Sequence, residues 1–370
     1  MTEADVVVVG GGVVGTMHAR EACRRGLRVT HLEADPAPRS ASVRNLGLVW
    51  VSVRAPGPEL SLALRSRELW EEIGGEVPGV GFRTWGSLTV AADEHELALM
   101  ADVAGLPDAV DRGLELLDQD AVRASYPELC GALVGGLRCT RDAVVEPREV
   151  LPSVRARLSD SPGYRWLPGR RVVGVAEGEV TDHTGQGHRG SLVVLCPGAA
   201  LSGIGQEVGR ALVAAPLRRC RLQMLQTEPA SRALNTAVAD GDSMRYYPLY
   251  DRPARAGLPD ASRETREWGM QLLMVQRAGG ELTIGDTHEY DEPFDFALEE
   301  SVHDRLRERA EAILGWPVPP TARRWSGVYS VPTDAAVYFR AHPAPGVVVV
   351  TGTGGRGMTL APAIAEETFR

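Results

Sequence analysis

The residues that most clearly could do chemistry stand at the start of the chain. Asp5 and Val6 to Val9 lead into Gly10, Gly12 and Gly15, a Gly-x-Gly-x-x-Gly spacing, and Glu33 closes a second apolar run that begins at Leu27. In such a pattern the first glycine permits a tight turn, the second lets the backbone approach a pyrophosphate, and the third lets a helix lie against a sheet. The free N–H groups and the dipole at the start of that helix favour the phosphate charge. A carboxylate at Glu33 is placed to accept hydrogen bonds from a ribose diol, which points to FAD or NAD over NADP.

A second glycine-rich turn stands at the far end. Val347 to Thr351 run into Gly352, Gly354, Gly355 and Gly357, more glycine than a turn needs, so the backbone is expected to approach a second part of the same cofactor. Between the two turns lie side chains suited to a substrate. Trp50 can wall a pocket, Tyr247, His288 and Tyr329 can donate hydrogen bonds, and Arg356 or Arg44 can hold an anionic group. Each also has a plain reading: Trp50 as core, His288 as a satisfied strand end, the tyrosines as packing, the arginines as surface or pyrophosphate partners. His288 beside Asp286 and Glu289 reads as a solvated strand edge, and no metal site is expected.

The elements that must position these residues are legible in outline. Four valines in a row suit a strand buried on both faces, and the run to Arg25 suits a helix. The segment from Asp35 to Trp50 reads as a polar loop able to wrap a cofactor. Helices are expected over 59–73, ended by Gly74 and Gly75, and over 94–103, 118–126, from Pro147, and over 296–314. A strand or hairpin is expected over 82–90, and strands over 171–175 and 191–196. Beyond Pro216, strands over 219–227, 244–250, 268–276 and 281–286 alternate in polarity and suggest antiparallel pairing. Further strands are expected at 325–331 and 346–351.

The chain has 370 residues, enough for two domains, and a composition ordinary for a soluble enzyme. Its net charge of −9 argues against nucleic-acid or anionic-membrane binding. Five cysteines without a Cys-x-x-Cys pair suggest reduced thiols and a cytoplasmic location, and no apolar run reaches membrane-spanning length.

With glycine turns at both ends, the chain resembles the FAD-dependent amine oxidoreductases of the D-amino-acid oxidase, glycine oxidase and sarcosine oxidase superfamily. The resemblance rests on Gly10/Gly12/Gly15 with Glu33, the 42–48 segment, Gly135-Gly136 followed by Val145-Glu146-Pro147, the strand ending at Gly198, residues 216–223, Trp325-Ser326-Gly327, and residues 352–362. It implies a mixed α/β and α+β fold: a discontinuous Rossmann-like FAD-binding domain (1–80, 140–215, 323–370) and an inserted substrate domain of antiparallel sheet plus helices (81–139, 216–322). FAD would be held by Gly10, Gly12, Val13, Val14, Gly15, Glu33, Ala34, Arg39, Ser42, Arg44, Asn45, Gly47 and Leu48. Val173, Cys196, Gly198, Gly327, Gly352, Gly355, Arg356, Gly357, Met358 and Thr359 would complete the set. The adenosine would lie near Glu33 and Val173, and the flavin between residues 44–48 and 352–359, with the helix starting near Met358 pointing at its N1/O2 edge.

The activity implied is hydride transfer from a small primary or secondary amine to flavin N5, giving an imine that hydrolyses to a carbonyl product plus ammonia or a smaller amine. Oxygen or an electron carrier would reoxidise the flavin. Residues 44–50, 64–70 and 282–290 look like the branch associated with breakdown of 2-aminoethylphosphonate or its N-methyl form. One departure matters: where the glycine oxidase branch has an arginine that clamps the substrate carboxylate, this chain has Tyr329, which lacks the charged fork. The competing readings are an NAD-dependent dehydrogenase, a flavoprotein acting on a C–O bond, and a non-catalytic flavin-holding subunit.

Overall fold

The structure is a computed structural model that describes residues 4–202 and 206–370. Its first sheet is built on the strand Ala4–Val9, whose Val6, Val7 and Val8 are buried. This strand pairs in parallel with Val29–Leu32 on one side and Gly187–Leu195 on the other. Val347–Thr351 adds in parallel beyond Gly187–Leu195, and Tyr164–Leu167 beyond Val29–Leu32. Three parallel strands therefore end side by side, at Gly10, Cys196 and Gly352. Ligands of open α/β sheets sit at such carboxyl ends.

Helices cover one face of this sheet. Val13–Arg24, Pro58–Glu76, Pro147–Ser159 and Gly357–Thr368 bury Met17, Leu69, Trp70, Leu151, Leu360 and Ile364 in one apolar cluster with Val6 and Val8. The two glycine-led helices touch directly: His18 Nε2 lies 2.9 Å from the Thr368 hydroxyl. The Trp70 indole N–H donates to the Met358 carbonyl at 2.9 Å, fixing the start of the C-terminal helix.

The second sheet runs Thr321–Pro332, Leu217–Pro229, Glu281–Gly285, Leu273–Gln276, Ala237–Ala239, Ser87–Ala91, Gly135–Cys139, Leu114–Asp118 in spatial order. Its own apolar cluster, with Leu88, Leu225, Met274 and Ile284, packs under the helix Glu300–Leu314. The sheet is antiparallel except at one pair, Ala237–Ala239 with Ser87–Ala91. Thr321–Pro332 pairs along its length with Leu217–Pro229, so the chain returns to the first sheet only after Pro332, later than the boundary at 323 expected from sequence.

Three local expectations are corrected. The helix from Pro58 does not stop at Gly74-Gly75 but runs to Glu76, before Val77 and Pro78. Gly74 is needed for packing instead, since a Cβ there would lie 2.8 Å from Phe82. Residues 244–250 are not a strand: Ser243–Tyr246 is a helical turn and Pro248–Tyr250 a 3₁₀ turn, begun by the Ser243 and Met244 N–H groups bonding back to Asp240 and Gly241. In 268–276 only Leu273–Gln276 is strand, because the Ser262 hydroxyl caps a short helix, Arg263–Trp268, by accepting from Thr265 N–H.

Candidate functional site

A single continuous cavity of about 1040 Å³ lies at the carboxyl ends of the parallel strands and extends beneath the second sheet. Gly10 and Gly15 explain its floor. Gly10 has φ +108°, and a Cβ there would lie 2.3 Å from the Cys196 carbonyl oxygen; at Gly15 a Cβ would lie 1.9 Å from the Gly10 oxygen. The strand ends can meet only with hydrogen at both positions.

The helix that follows has free donors. Val13 N–H is taken by the Ser42 hydroxyl at 2.9 Å, but Val14 and Gly15 N–H have no acceptor among the described residues. Two bare N–H groups at a helix start, beside a glycine floor, fit a dinucleotide pyrophosphate. Glu33 lines the cavity and accepts from the N–H groups of Gly11 and Asp35. Gly11 is also required, because a Cβ there would lie 2.6 Å from Trp166, and Arg155 donates to the Gly11 carbonyl at 3.0 Å. Neither Gly11, Arg155 nor Trp166 stood out in the sequence.

The cavity brings together most of the residues expected at it. Gly10, Gly12, Val13, Val14, Gly15, Glu33, Ala34, Arg39, Ser42, Arg44, Asn45 and Leu48 line it from the N-terminal segment, and Cys196, Gly198, Gly327, Gly352, Gly355, Arg356, Gly357 and Met358 from the rest. Trp50, Tyr247, His288 and Tyr329 line it too. Three expected residues do not. Val173 is half exposed to solvent, and Val172, whose side chain points to the other face of the same strand, lines the cavity instead. Gly47 faces inward, where a Cβ would strike the Val145 carbonyl at 2.2 Å. Thr359 is buried behind the wall, its hydroxyl donating to Leu48 O at 3.2 Å and accepting Trp50 N–H at 3.0 Å.

Further into the cavity the wall becomes charged. Arg54 is 5 % exposed, donates Nε–H to the Trp50 carbonyl, and faces Glu59 at 3.6 Å; Arg356 approaches the same Glu59 oxygen at 3.4 Å. Two guanidinium groups thus share one carboxylate and leave one positive charge in excess. Burial pulls the Arg54 pKa down and Glu59 pulls it back up. Arg44, by contrast, gives its donors to the carbonyls of Arg39 and Ser326, both at 2.6 Å, and acts as a tie between segments. Among the aromatic lining residues Tyr246 stacks on His288, ring centres 3.9 Å apart, and Tyr247 tilts over Trp50 at 5.7 Å. Burial raises the phenols of Tyr247 and Tyr329 above their usual range, so both stay protonated donors. Arg54, Glu59, Tyr246 and Asp286 also line the cavity; no spacing singled out the first three, and Asp286 with His288, expected at a solvated strand edge, is buried instead.

The sequence profile of the family described as FAD dependent oxidoreductase matches residues 5–370. The chain belongs to that family. This flavin-dependent oxidoreductase is 26% identical over 248 residues to an opine oxidase subunit of Rhizobium meliloti, an alignment covering 63% of the chain and 66% of that relative. It is 25% identical over 340 residues to hydrogen cyanide synthase subunit HcnC of Pseudomonas aeruginosa, covering 79% and 73%. Among solved structures, it is similar to glycine oxidase from Geobacillus kaustophilus, with TM-score 0.79, 20% identity and coverage of 100% and 94%. L-proline dehydrogenase from P. horikoshii superposes with TM-score 0.79 at 19% identity, covering 98% and 91%. FAD is accordingly the cofactor of this oxidoreductase, and the bare helix donors, the glycine floor and Glu33 fit it. Among the described residues no helix is long and apolar enough to cross a membrane.

Proposed function

We propose that this oxidoreductase oxidises the C–N bond of a small primary or secondary amine that also carries an anionic group, an amino acid or an aminophosphonate such as 2-aminoethylphosphonate or its N-methyl form. The observation that carries the reading is the charged wall: Arg54 and Arg356 converge on Glu59 inside the cavity that the two glycine turns floor. Bound FAD would supply the two-electron acceptor, taking hydride at N5 from the carbon beside nitrogen. The protein's part is orientation and a dry, charge-matched pocket. Arg356 and Arg54 hold the anion, Tyr247, Tyr329 and His288 offer hydrogen bonds, and Trp50 walls the pocket. The substrate is released as an imine that hydrolyses to a carbonyl product plus ammonia or amine, and oxygen or an electron carrier is the final acceptor.

Glycine oxidase, the iminodiacetate oxidase of Chelativorans and the L-amino acid deaminase of Proteus vulgaris share the fold, which supports an amine substrate. Tyr329 in place of an arginine leaves the acid group of the substrate to be held elsewhere, and Arg54 and Arg356 supply positive charge in the same cavity. We divide the chain into an FAD-binding unit (1–80, 140–215, 333–370) and a substrate unit (81–139, 216–332). A second reading, oxidation of a C–O bond, is favoured by the likeness to an L-alpha-glycerophosphate oxidase, TM-score 0.76. Anaerobic mixing of the FAD-loaded protein with a panel of amino acids, aminophosphonates and hydroxy acids decides between them. Bleaching by an amine with release of ammonia or methylamine is expected; bleaching only by hydroxy acids, or by none of the panel, overturns the reading.

A further inference from the structure

Among the described residues, one buried carboxylate in the cavity lacks a cation. Asp286 follows the strand Glu281–Gly285, is 7 % exposed and lines the cavity. Its backbone is locked by a reciprocal pair with Gln271, N–H to O at 2.9 and 3.1 Å, and Gln271 Nε2 donates to its Oδ1 at 3.2 Å. Oδ2 has no hydrogen-bond partner among the described residues, and no arginine or histidine lies within ion-pair distance of either oxygen. Glu59, the other buried carboxylate of the deep wall, is shared by two arginines. Buried carboxylates are ordinarily paired, so the partner of Asp286 is to be sought in what enters the cavity.

We propose that Asp286 receives the ammonium group of the substrate and takes its proton. The inference rests on the amine-oxidising reading above. In the step, one N–H bond of the ammonium breaks and an O–H bond forms on Oδ2. The amine is left neutral with its lone pair free, the carboxyl becomes neutral, and no electrons change hands. Only the neutral amine can push electron density toward the departing hydride, so this transfer must precede oxidation.

The groups facing Asp286 suit the role. Gln271 is neutral; Tyr247, Tyr329 and Cys220, from three other segments, are all kept protonated by burial; His288, two residues on, is turned to the Gly269 carbonyl and stacked on Tyr246. Burial raises the pKa of Asp286, partly offset by His288 and the Gln271 hydrogen bond, which moves it toward that of a proton acceptor matched to an amine. Tyr247 lies within electrostatic reach of both Asp286 and Arg54. The cavity therefore holds an acidic group and a basic group that both act on one tyrosine, complementary to a small zwitterion.

The test uses 2-aminoisobutyrate, whose carbon beside nitrogen has no hydrogen to lose, and 2-hydroxyisobutyrate, which has the same shape without the ammonium. Binding to the FAD-loaded enzyme is read from the perturbed flavin absorbance. The wild type should bind the amino acid more tightly, and Asp286→Asn should weaken it by about 10- to 100-fold while leaving the hydroxy acid unchanged. Asn keeps the Gln271 hydrogen bond, and an unaltered flavin content verifies the fold. With an amine that bleaches the wild type, Asp286→Asn should also slow flavin reduction about 100-fold and shift its pH dependence up to that of the free amine. Equal affinities for the two probes in the wild type, or probe affinities that the variant leaves alone, overturn the proposal. Absence of bleaching by any amine would sink the amine-oxidising reading instead, while the probe comparison still judges Asp286.

Discussion

The carboxylate of Asp142 accepts the backbone N–H of Val51 at 2.6 Å. The same group accepts Ser52 N–H at 3.0 Å and the hydroxyls of Ser52 and Ser87, and it is fully buried. From the other side Arg112, also fully buried, donates to the carbonyls of Ser52 at 3.1 Å and Arg54 at 2.7 Å. The short segment carrying Trp50 and Arg54 into the cavity is thus gripped by its donors and its acceptors alike. It also lies where the two sheets adjoin, since Ser87 belongs to the second and Thr359, which holds Trp50 N–H, starts the C-terminal helix against the first.

Asp142→Ala should destabilise the protein by about 3 kcal/mol, because four donors lose their buried acceptor. Asp142→Asn keeps the shape but not the charge. It should retain FAD while losing affinity for anionic substrates as Arg54 shifts. Urea unfolding and the apparent KM measure the two effects. An alanine variant as stable as the wild type would show that the segment is held by other contacts.

The glycine floor gives a graded series. Gly15→Ala places a methyl group 1.9 Å from the Gly10 oxygen, a backbone atom that cannot yield, so the helix must move and FAD should be lost. Gly12→Ala meets only the Ser42 hydroxyl at 3.2 Å and should bind FAD more weakly rather than not at all. Gly26, with φ +78° and open space around it, is the control: alanine there costs about 1–2 kcal/mol of backbone strain and should leave the flavin in place. Flavin content after purification orders the three, and retention of FAD by Gly15→Ala would contradict the packing argument.

Much of this site was legible because it follows from local rules. The βα turn at Gly10–Gly15 and the terminal turn at Gly352–Gly357 each announce themselves by spacing next to an apolar run, and each carries its residues to the cavity with the strand end. Val173 was misplaced by one residue, since the alternation of a strand leaves register open until the neighbours are known. Residues 244–250 look like a strand in composition, yet Asp240 and Pro248 impose turns, and Tyr246 and Tyr247 reach the cavity from a helical turn. Asp142 and Arg112 were invisible because most of their partners are distant in sequence; Arg54 and Glu59 lie only five residues apart, but nothing local marks the pair, and the approach of Arg356 to it is tertiary.

Tyr329 offers a separation of stability from recognition. Its hydroxyl is buried and has no hydrogen-bond partner among the described residues, while its ring packs with Cys220 and Leu222. Tyr329→Phe should therefore leave the midpoint of unfolding nearly unchanged, or raise it slightly by removing an unsatisfied group. If the hydroxyl donates to the substrate, the same change should raise KM several-fold with little change in kcat. A loss of stability of about 2 kcal/mol or more would mean that the hydroxyl already has a structural partner.

Acid should act on the cofactor floor through His31. Its Nε2 lies 3.0 Å from the Gly10 carbonyl and its Nδ1 3.0 Å from the Tyr164 hydroxyl. A carbonyl can only accept, so Nε2 carries the proton and Nδ1 accepts from the tyrosine hydroxyl; a second proton at Nδ1 would require that hydroxyl to turn round and would place a charge in a buried site. Burial accordingly lowers the pKa of His31 to about 3, and that of His18 to about 4. A histidine depressed on folding binds its proton more readily in the unfolded chain, so its contribution is intact above pH 6.5 and is lost as pH falls toward the folded value. For His31 alone the loss between pH 7 and pH 5 is about 2 kcal/mol. Asp240 and Glu96, whose carboxyls burial raises to about 6 and about 7, work in the opposite direction over the same range, because folding favours their protonated forms. The decisive quantity is therefore a difference. His31→Gln, which keeps a donor and an acceptor but cannot titrate, should lose about 2 kcal/mol less than the wild type between pH 7 and pH 5 in urea unfolding. Identical losses would show that His31 already carries its charge within the fold.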